Sequence, residues 1–133
     1  MCSHTSPMHH NHDSIRRIAV KIQAKDFFEK NYGPTHKRTA NAYNNLGVLY
    51  QKTREFEKAL TVGLKSLQIS QETMGKTSAA VATALNNLGA LYSEMGKSDV
   101  ALKFYRKSLA IDEEKYGKDH PKVAITCNNL GAV

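Results

Sequence analysis

The tetrad Asn-Asn-Leu-Gly occurs three times in this chain, and its copies are evenly spaced. They begin at Asn44, Asn86 and Asn128, so successive copies lie 42 residues apart. A constant period of about 20 to 50 residues is typical of stacked repeats, in which each unit buries its apolar face against its neighbours. The chain is therefore predicted to be an array of similar units, and such an array usually offers a binding surface rather than a reaction centre.

Each unit is predicted to contain two helices, an A helix and a B helix, joined by a short turn. Glycines suited to helix ends recur at Gly33, Gly75 and Gly117, and capping residues such as Ser78 follow them. Between these points the apolar residues keep the i, i+3, i+4, i+7 spacing of a helix face. Short turns make neighbouring helices antiparallel. We therefore predict an all-α solenoid of antiparallel helix pairs, with A helices at 37–52, 79–95 and from 121 onward, and B helices at 55–74 and 98–116.

Glycine recurs inside the predicted A helices, at Gly47, Gly89 and Gly131. Glycine in a helix interior costs about 1 kcal/mol relative to alanine, so its recurrence needs a structural reason. Close approach of the A helix to the B helix is the simplest one. Ala59 and Ala101 are the small residues expected on the other side of that contact.

The two ends of the chain depart from the repeat. Residues 1–14 have no apolar period and are predicted to form a disordered leader, followed by an array over 15–133. Residues 15–33 resemble a degenerate B helix, which either has its A helix replaced by the leader or caps the stack. Complete repeats are predicted at 37–75 and 79–117, and a truncated third at 121–133. Because this third unit lacks its B helix, we expect either a fragment of a longer array or self-association through that end.

Charge and cysteine content restrict the function classes. The net charge is +7, and residues 1–38 carry seven basic and three acidic side chains, so most of the excess precedes the first complete repeat. A basic leader could bind nucleic acid or a membrane surface, but a solvated basic surface is the favoured interpretation. Cys2 and Cys127 form no disulfide or zinc pattern, which favours a reducing, cytoplasmic location. No segment is apolar enough for insertion into a membrane.

Few residues in the sequence suggest chemistry. His4, His9, His10 and His12 cluster in the leader, where His4 could grip Cu(II) or Ni(II) together with a free amino terminus, although incidental histidines are favoured. His36 and His120 lie at helix starts as capping or solvated residues. Cys127 is predicted to be a small core residue rather than a nucleophile. No Ser/His/Asp set, phosphate-binding glycine loop or pair of carboxylates is present, so we expect no catalytic residue, no cofactor and no metal.

The repeated motifs resemble the tetratricopeptide pattern of small and large core residues. They are Leu46-Gly47 with Tyr50 and Ala59, and then the corresponding set in the next unit: Leu88, Gly89, Tyr92, Ala101 and Tyr105. The 42-residue period is similar to that of the kinesin light chain type, whose elements match Asn86–Tyr92, Lys107–Ile111 and Gly117–Ala124. The resemblance implies a right-handed α-solenoid whose A helices line a concave groove that takes peptides or helices of partner proteins.

Helical geometry then predicts which side chains face that groove. With Tyr43, Leu46, Gly47 and Tyr50 pointing inward, the opposite arc of each A helix carries mainly asparagine. A carboxamide both donates and accepts hydrogen bonds, so a ladder of them could hold the backbone of a bound segment. One asparagine of each pair could instead serve packing. The predicted binding residues are Asn41, Asn44, Asn45, Val48, Thr83, Asn86, Asn87, Ala90, Asn128 and Asn129.

The leading hypothesis from the sequence is a non-catalytic module that binds a protein or peptide partner. An alternative is that the array is a regulatory or oligomerising arm of a larger enzyme or receptor. Electrostatic binding of nucleic acid or of a membrane surface ranks lowest, because the aromatic residues are placed for packing.

Overall fold

The computed structural model describes the backbone of residues 2–132 and the side chains of residues 13–131, and this part of the chain is built from helices. Two A/B pairs follow the N-terminal helix, and a further A helix follows them. Their limits lie within two residues of those predicted from the sequence. The six helices are α1 (Cys2–Tyr32), α2 (Lys37–Lys52), α3 (Phe56–Met74), α4 (Ala79–Glu94), α5 (Ser98–Tyr116) and α6 (Pro121–Ala132).

Each helix packs against the helix before it and the helix after it. The pairs α2/α3 and α4/α5 make the most extensive contacts, and α1/α2, α3/α4 and α5/α6 join the pairs together. Leu46 and Tyr50 of α2 form one buried cluster with Ala59 and with Leu91 of the next pair. A second cluster joins Val81, Ala82 and Leu85 to Ile111. The core therefore runs continuously from one pair to the next, as stacked repeats require.

The N-terminal helix corrects one prediction. Residues 2–14 were expected to be disordered, but α1 begins at Cys2 and continues without a break to Tyr32. The helix contains Pro7, which has no backbone amide and is unfavourable in a helix interior, so no local sequence signal accounts for this extension. The leader histidines His4, His9, His10 and His12 lie outside the residues whose side chains are described.

Helix α1 occupies the position of a B helix. The Lys25 ammonium lies 5.5 Å from the centre of the Tyr43 ring. One repeat later, Leu67 packs on the cluster that contains Leu85, and these two positions are each 42 residues further along. Because α1 runs back to Cys2 as one helix, the described chain contains no A helix paired with it.

Two of the three glycines inside A helices lie where the B helix comes close. A Cβ on Gly89 would stand 2.7 Å from Cδ1 of Tyr105, and a Cβ on Gly47 would stand 3.3 Å from Cγ2 of Val62 and 3.5 Å from the Ala59 carbonyl oxygen. The predicted close approach is therefore present. The nearest atoms to Gly89 belong to the Tyr105 ring, however, and not to Ala101. A Cβ on Gly131 would have nothing within 4 Å.

Buried hydroxyl groups join the two helices of each pair. Ser66 Oγ donates to the Ala40 carbonyl oxygen at 2.9 Å, and Ser108 Oγ donates to the Ala82 carbonyl oxygen at 2.8 Å. Both serines are at most 2% exposed. The two bonds are equivalent under the 42-residue period, so the same device fixes the A helix to the B helix in both repeats.

The A helices begin at the capping residues expected from the sequence. Ser78 Oγ accepts a hydrogen bond from the Val81 amide at 3.2 Å. At the other two starts histidine takes this role, because His36 Nδ1 and His120 Nδ1 accept from backbone amides two residues further on, each at 3.1 Å. A side-chain acceptor at this position satisfies an amide that has no partner within the helix.

The prediction that Cys127 is a core residue is wrong, because Cys127 is exposed. Its counterpart Leu85 is only 5% exposed, in a cluster with Ile111 of α5. Within the described residues α6 packs on α5 and has no following B helix. The face that carries Cys127 therefore lacks the cover that α5 gives to Leu85.

Candidate binding surface

The A helices lie together on one side of the stack. Helix α2 contacts α4 directly, although the two belong to different pairs. Side-chain hydrogen bonds join α2 to α4 and α4 to α6, and none joins α3 to α5 in the described part of the chain. Because the A helices approach one another more closely than the B helices do, their side is the inner side of the stack.

The asparagine pairs form a ladder between repeats. Asn87 Nδ2 donates to Asn44 Oδ1 at 2.9 Å, and Asn129 Nδ2 donates to Asn86 Oδ1 at 3.1 Å. In each case the second asparagine of one repeat bonds to the first asparagine of the preceding repeat. Each bond uses one polar atom of each carboxamide, which leaves the amino group of Asn44 and the oxygen of Asn87 available. Four of the ten predicted site residues therefore also hold the repeats together.

The predicted site residues divide by exposure. Asn41, Asn45, Thr83 and Asn128 are exposed, and the other six are half-buried. Thr83 Oγ1 bonds to the Ala79 carbonyl oxygen of its own helix at 3.1 Å. Asn41 and Thr83 occupy equivalent positions, and Ile125, one period further on, is 56% exposed. These three positions form an exposed row along the A helices. The six half-buried site residues are Asn44, Val48, Asn86, Asn87, Ala90 and Asn129.

A groove of about 500 Å³ lies between α1 and α2. Two of the predicted residues, Asn45 and Val48, form part of its α2 wall. The groove combines apolar side chains with four basic ones and contains no acidic side chain. Its lining is Arg16, Arg17, Val20, Lys21, Asn45, Val48, Leu49 and Lys52.

The basic side chains of α1 did not figure among the predicted site residues. The 42-residue alignment contained a signal that could have identified them. Arg17 falls on Ala59 and Ala101, and Lys21 falls on Gly63 and Tyr105. A charge at a position where complete repeats bury alanine marks a face that is not closed by the chain's own A helix.

Electrostatic effects are concentrated where α1 meets α2. Burial and a hydrogen bond to Glu29 raise the pKa of the Tyr43 phenol above its usual value. A hydrogen bond to Asp26 raises the pKa of Lys25, whose ammonium lies 2.7 Å from the Asp26 carboxylate and 3.5 Å from that of Glu29. In the second repeat, burial raises the pKa of the Tyr105 phenol, and the charge of Glu94 adds to this effect. All three groups therefore keep their protons at neutral pH.

No three His, Cys, Asp or Glu side chains among residues 13–131 come together as ligands for a metal ion. None of the helices in this part of the chain has an apolar stretch of the length that a membrane crossing requires.

Comparison with known proteins agrees with the repeat architecture. The tetratricopeptide repeat model matches residues 18–72, 39–114 and 80–133. The crystal structure of BtubC (BKLC) from P. vanneervenii superposes with a TM-score of 0.82 at 29% sequence identity, over 90% of this chain and 48% of that one. This chain thus spans about half the length of BtubC. No curated protein matches it. Because the family model covers most of the chain, in register with the helices described above, the chain belongs to the tetratricopeptide repeat family.

Proposed function

We propose that this protein is a non-catalytic interaction module that binds a peptide segment of a partner protein along the inner side of the A helices. Proteins with tetratricopeptide repeats generally mediate contacts between proteins. The observation that carries the proposal is the exposed row at Asn41, Thr83 and Ile125, which runs beside the asparagine ladder and has the same period.

The ladder supports this function because its hydrogen bonds hold the carboxamides in fixed orientations. The side-chain amino group of Asn44 and the side-chain oxygen of Asn87 form no hydrogen bond to another described group. Together they offer one donor and one acceptor, which is what the backbone of an extended segment requires. Side chains held in place before binding lose less conformational entropy when the ligand arrives.

Peptides selected from a displayed random library against the immobilised chain provide the test. Each selected peptide is titrated against the chain and against a triple variant of the exposed row, Asn41→Ala, Thr83→Ala and Ile125→Ala. These residues are exposed and take no part in the ladder, so the fold should be preserved. The matched control changes exposed polar residues of the B helices, Gln68→Ala and Lys103→Ala.

We expect the triple variant to bind at least tenfold more weakly than the original chain and the control variant to bind equally well. Circular dichroism confirms that both variants keep their helix content. Peptides that bind the triple variant as tightly as the original chain, or that are lost in the control variant, would place the binding surface elsewhere and overturn the proposal.

A further inference from the structure

The groove between α1 and α2 corresponds to the place that an A helix fills in a complete repeat. Its α1 wall contains Arg17 and Val20, which are equivalent to Ala59 and Val62 of α3. Those two residues of α3 approach Gly47 of their own A helix. The groove thus lies on the face of α1 that, in α3, packs on the A helix of the same repeat. In the described chain α1 has no such A helix, and α2 packs on another face of α1.

The α2 wall of the groove shows the same correspondence. Asn45 is equivalent to Asn87 and Asn129, which both donate to an asparagine of the preceding A helix. Asn45 is exposed, and its side chain bonds to no acceptor in the described residues. Lys52 is equivalent to Glu94, which accepts a hydrogen bond from Gln51 of the preceding A helix at 3.1 Å. In complete repeats these positions bond to the preceding A helix. On α2 they are occupied by Asn45 and Lys52, and no A helix of the described chain lies opposite them.

Exposed apolar side chains on α1 fit this interpretation. Val20 is 60% exposed and Phe27 is 56% exposed. Phe27 is equivalent to Ile69 and Ile111, which are 1% and 8% exposed. Val20 and Phe27 lie seven positions apart along α1 and therefore on one face of the helix. Covering that face with a helix would bury Phe27 as complete repeats bury Ile69 and Ile111, and would half-bury Val20, as its counterparts Val62 and Phe104 are.

Charge selects the kind of helix that would fit. Arg16, Arg17, Lys21 and Lys52 surround the groove, and no acidic side chain lines it. A helix with apolar residues alone would leave these charges close together and poorly solvated. Helix α6 of a second copy fits less well, because it has no acidic residue and contains Lys122.

The geometry points to a docking site for an amphipathic helix of a partner protein that has acidic residues on the face turned towards α1 and α2. This helix would take the place of an A helix, with an acidic side chain opposite Lys21 and another opposite Lys52, and with an acceptor for Asn45. The site is separate from the exposed row that carries the proposed function, and neither depends on the other.

A peptide derived from the chain's own α4 tests the assignment. Two positions of α4 would lie opposite the basic groove residues. Gly89 faces Tyr105, which is equivalent to Lys21. Ser93 is equivalent to Gln51, and Gln51 bonds to Glu94, which is equivalent to Lys52. The probe is therefore a blocked, fluorescent peptide of residues 79–94 with Gly89→Glu and Ser93→Glu. The matched control peptide has Gly89→Lys and Ser93→Lys, which removes the same helix-interior glycine and differs only in charge.

Fluorescence anisotropy then measures binding of both peptides to the full chain and to two variants. In one variant, Arg17→Glu and Lys21→Glu neutralise the groove, because two acidic side chains then face the remaining Arg16 and Lys52. In the other, Lys103→Glu and Arg106→Glu change the net charge equally at exposed positions of α5. We expect the acidic peptide to bind the original chain at least tenfold more tightly than the basic one. This preference should be lost in the groove variant, and the α5 variant should behave like the original chain.

Equal affinity of the original chain for the two peptides, absence of binding by both, or a preference for the acidic peptide that falls equally in the two variants would overturn the proposal. Sedimentation velocity of the chain alone gives a further check. A dimer that dissociates on Arg17→Glu with Lys21→Glu would show that a second copy fills the groove, and this result would also overturn it.

Discussion

Asn87 donates a hydrogen bond from its side-chain amide to the side-chain oxygen of Asn44, which lies in the preceding repeat. The same bond joins Asn129 to Asn86. The separation of 43 residues is one more than the repeat period, so the ladder connects the second asparagine of one tetrad to the first of another. A motif that recurs within each unit therefore acts between units.

The first prediction concerns the contribution of this ladder to stability. Asn44→Ala should lower the free energy of unfolding by about 1 kcal/mol relative to Asn45→Ala, because the first change removes an acceptor and the second removes a side chain without a described partner. Both changes replace asparagine by alanine within α2, so the gain in helix propensity cancels in the comparison. Urea denaturation monitored by circular dichroism measures the difference. Equal stability of the two variants would mean that the bond contributes nothing.

The second prediction concerns the glycines of the A helices. Gly89→Ala should lower the free energy of unfolding by about 1–3 kcal/mol, because the new Cβ would stand 2.7 Å from the Tyr105 ring. Gly131→Ala, whose Cβ meets nothing within 4 Å, should raise it by up to about 1 kcal/mol through helix propensity. Thermal unfolding of both variants tests this opposite pair of signs. Stabilisation by Gly89→Ala would disprove the close approach of α4 to α5.

The helices could be predicted from the sequence because the 42-residue period repeats every local signal. Gly75, Ser78 and the apolar spacing of α4 each indicate the same helix limits, and the structure places α4 at Ala79–Glu94. Agreement between independent local signals makes such limits predictable. The same period gives Asn41, Thr83 and Ile125 equivalent positions in successive A helices.

The contacts between repeats could not be predicted in the same way. Periodicity shows which residues are equivalent but not which residues of two neighbouring units touch. The pairing of Asn44 with Asn87 therefore required the structure. Cys127 was assigned to the core by its equivalence to Leu85, but burial depends on a neighbouring helix and not on the residue's own position. The ring of Tyr105 fills the space beside Gly89, where the small residue Ala101 was expected.

The third prediction concerns the buried serines. Ser66→Ala and Ser108→Ala should each lower the free energy of unfolding by about 1 kcal/mol, because each removes a hydrogen bond between an A helix and a B helix in a buried environment. Thr61→Ala is the control, since Thr61 is exposed and bonds to Glu57 of its own helix. Its effect should stay within about 0.5 kcal/mol. Denaturant unfolding of the three variants distinguishes them, and a control that costs as much as the buried serines would contradict the argument.

The fourth prediction concerns the phenol of Tyr105 at high pH. Burial raises its pKa above the ordinary value of 10.0, and the charge of Glu94 adds to this effect. The difference in phenolate absorbance between the original chain and Tyr105→Phe should therefore have its midpoint above pH 10. The replacement keeps the ring beside Gly89, so the fold should be preserved.

The same shift has a consequence for stability, and its sign is determined by proton linkage. Because the folded pKa is the higher one, the unfolded state binds fewer protons than the folded state once the pH exceeds 10.0. The free energy of unfolding should then fall as the pH rises from 10.0 through the folded pKa, and the contribution is fully present below 10.0. Tyr105→Phe should make this fall less steep, as denaturation at a series of alkaline pH values will measure. An equally steep fall in the variant would show that burial of this phenol is not linked to folding.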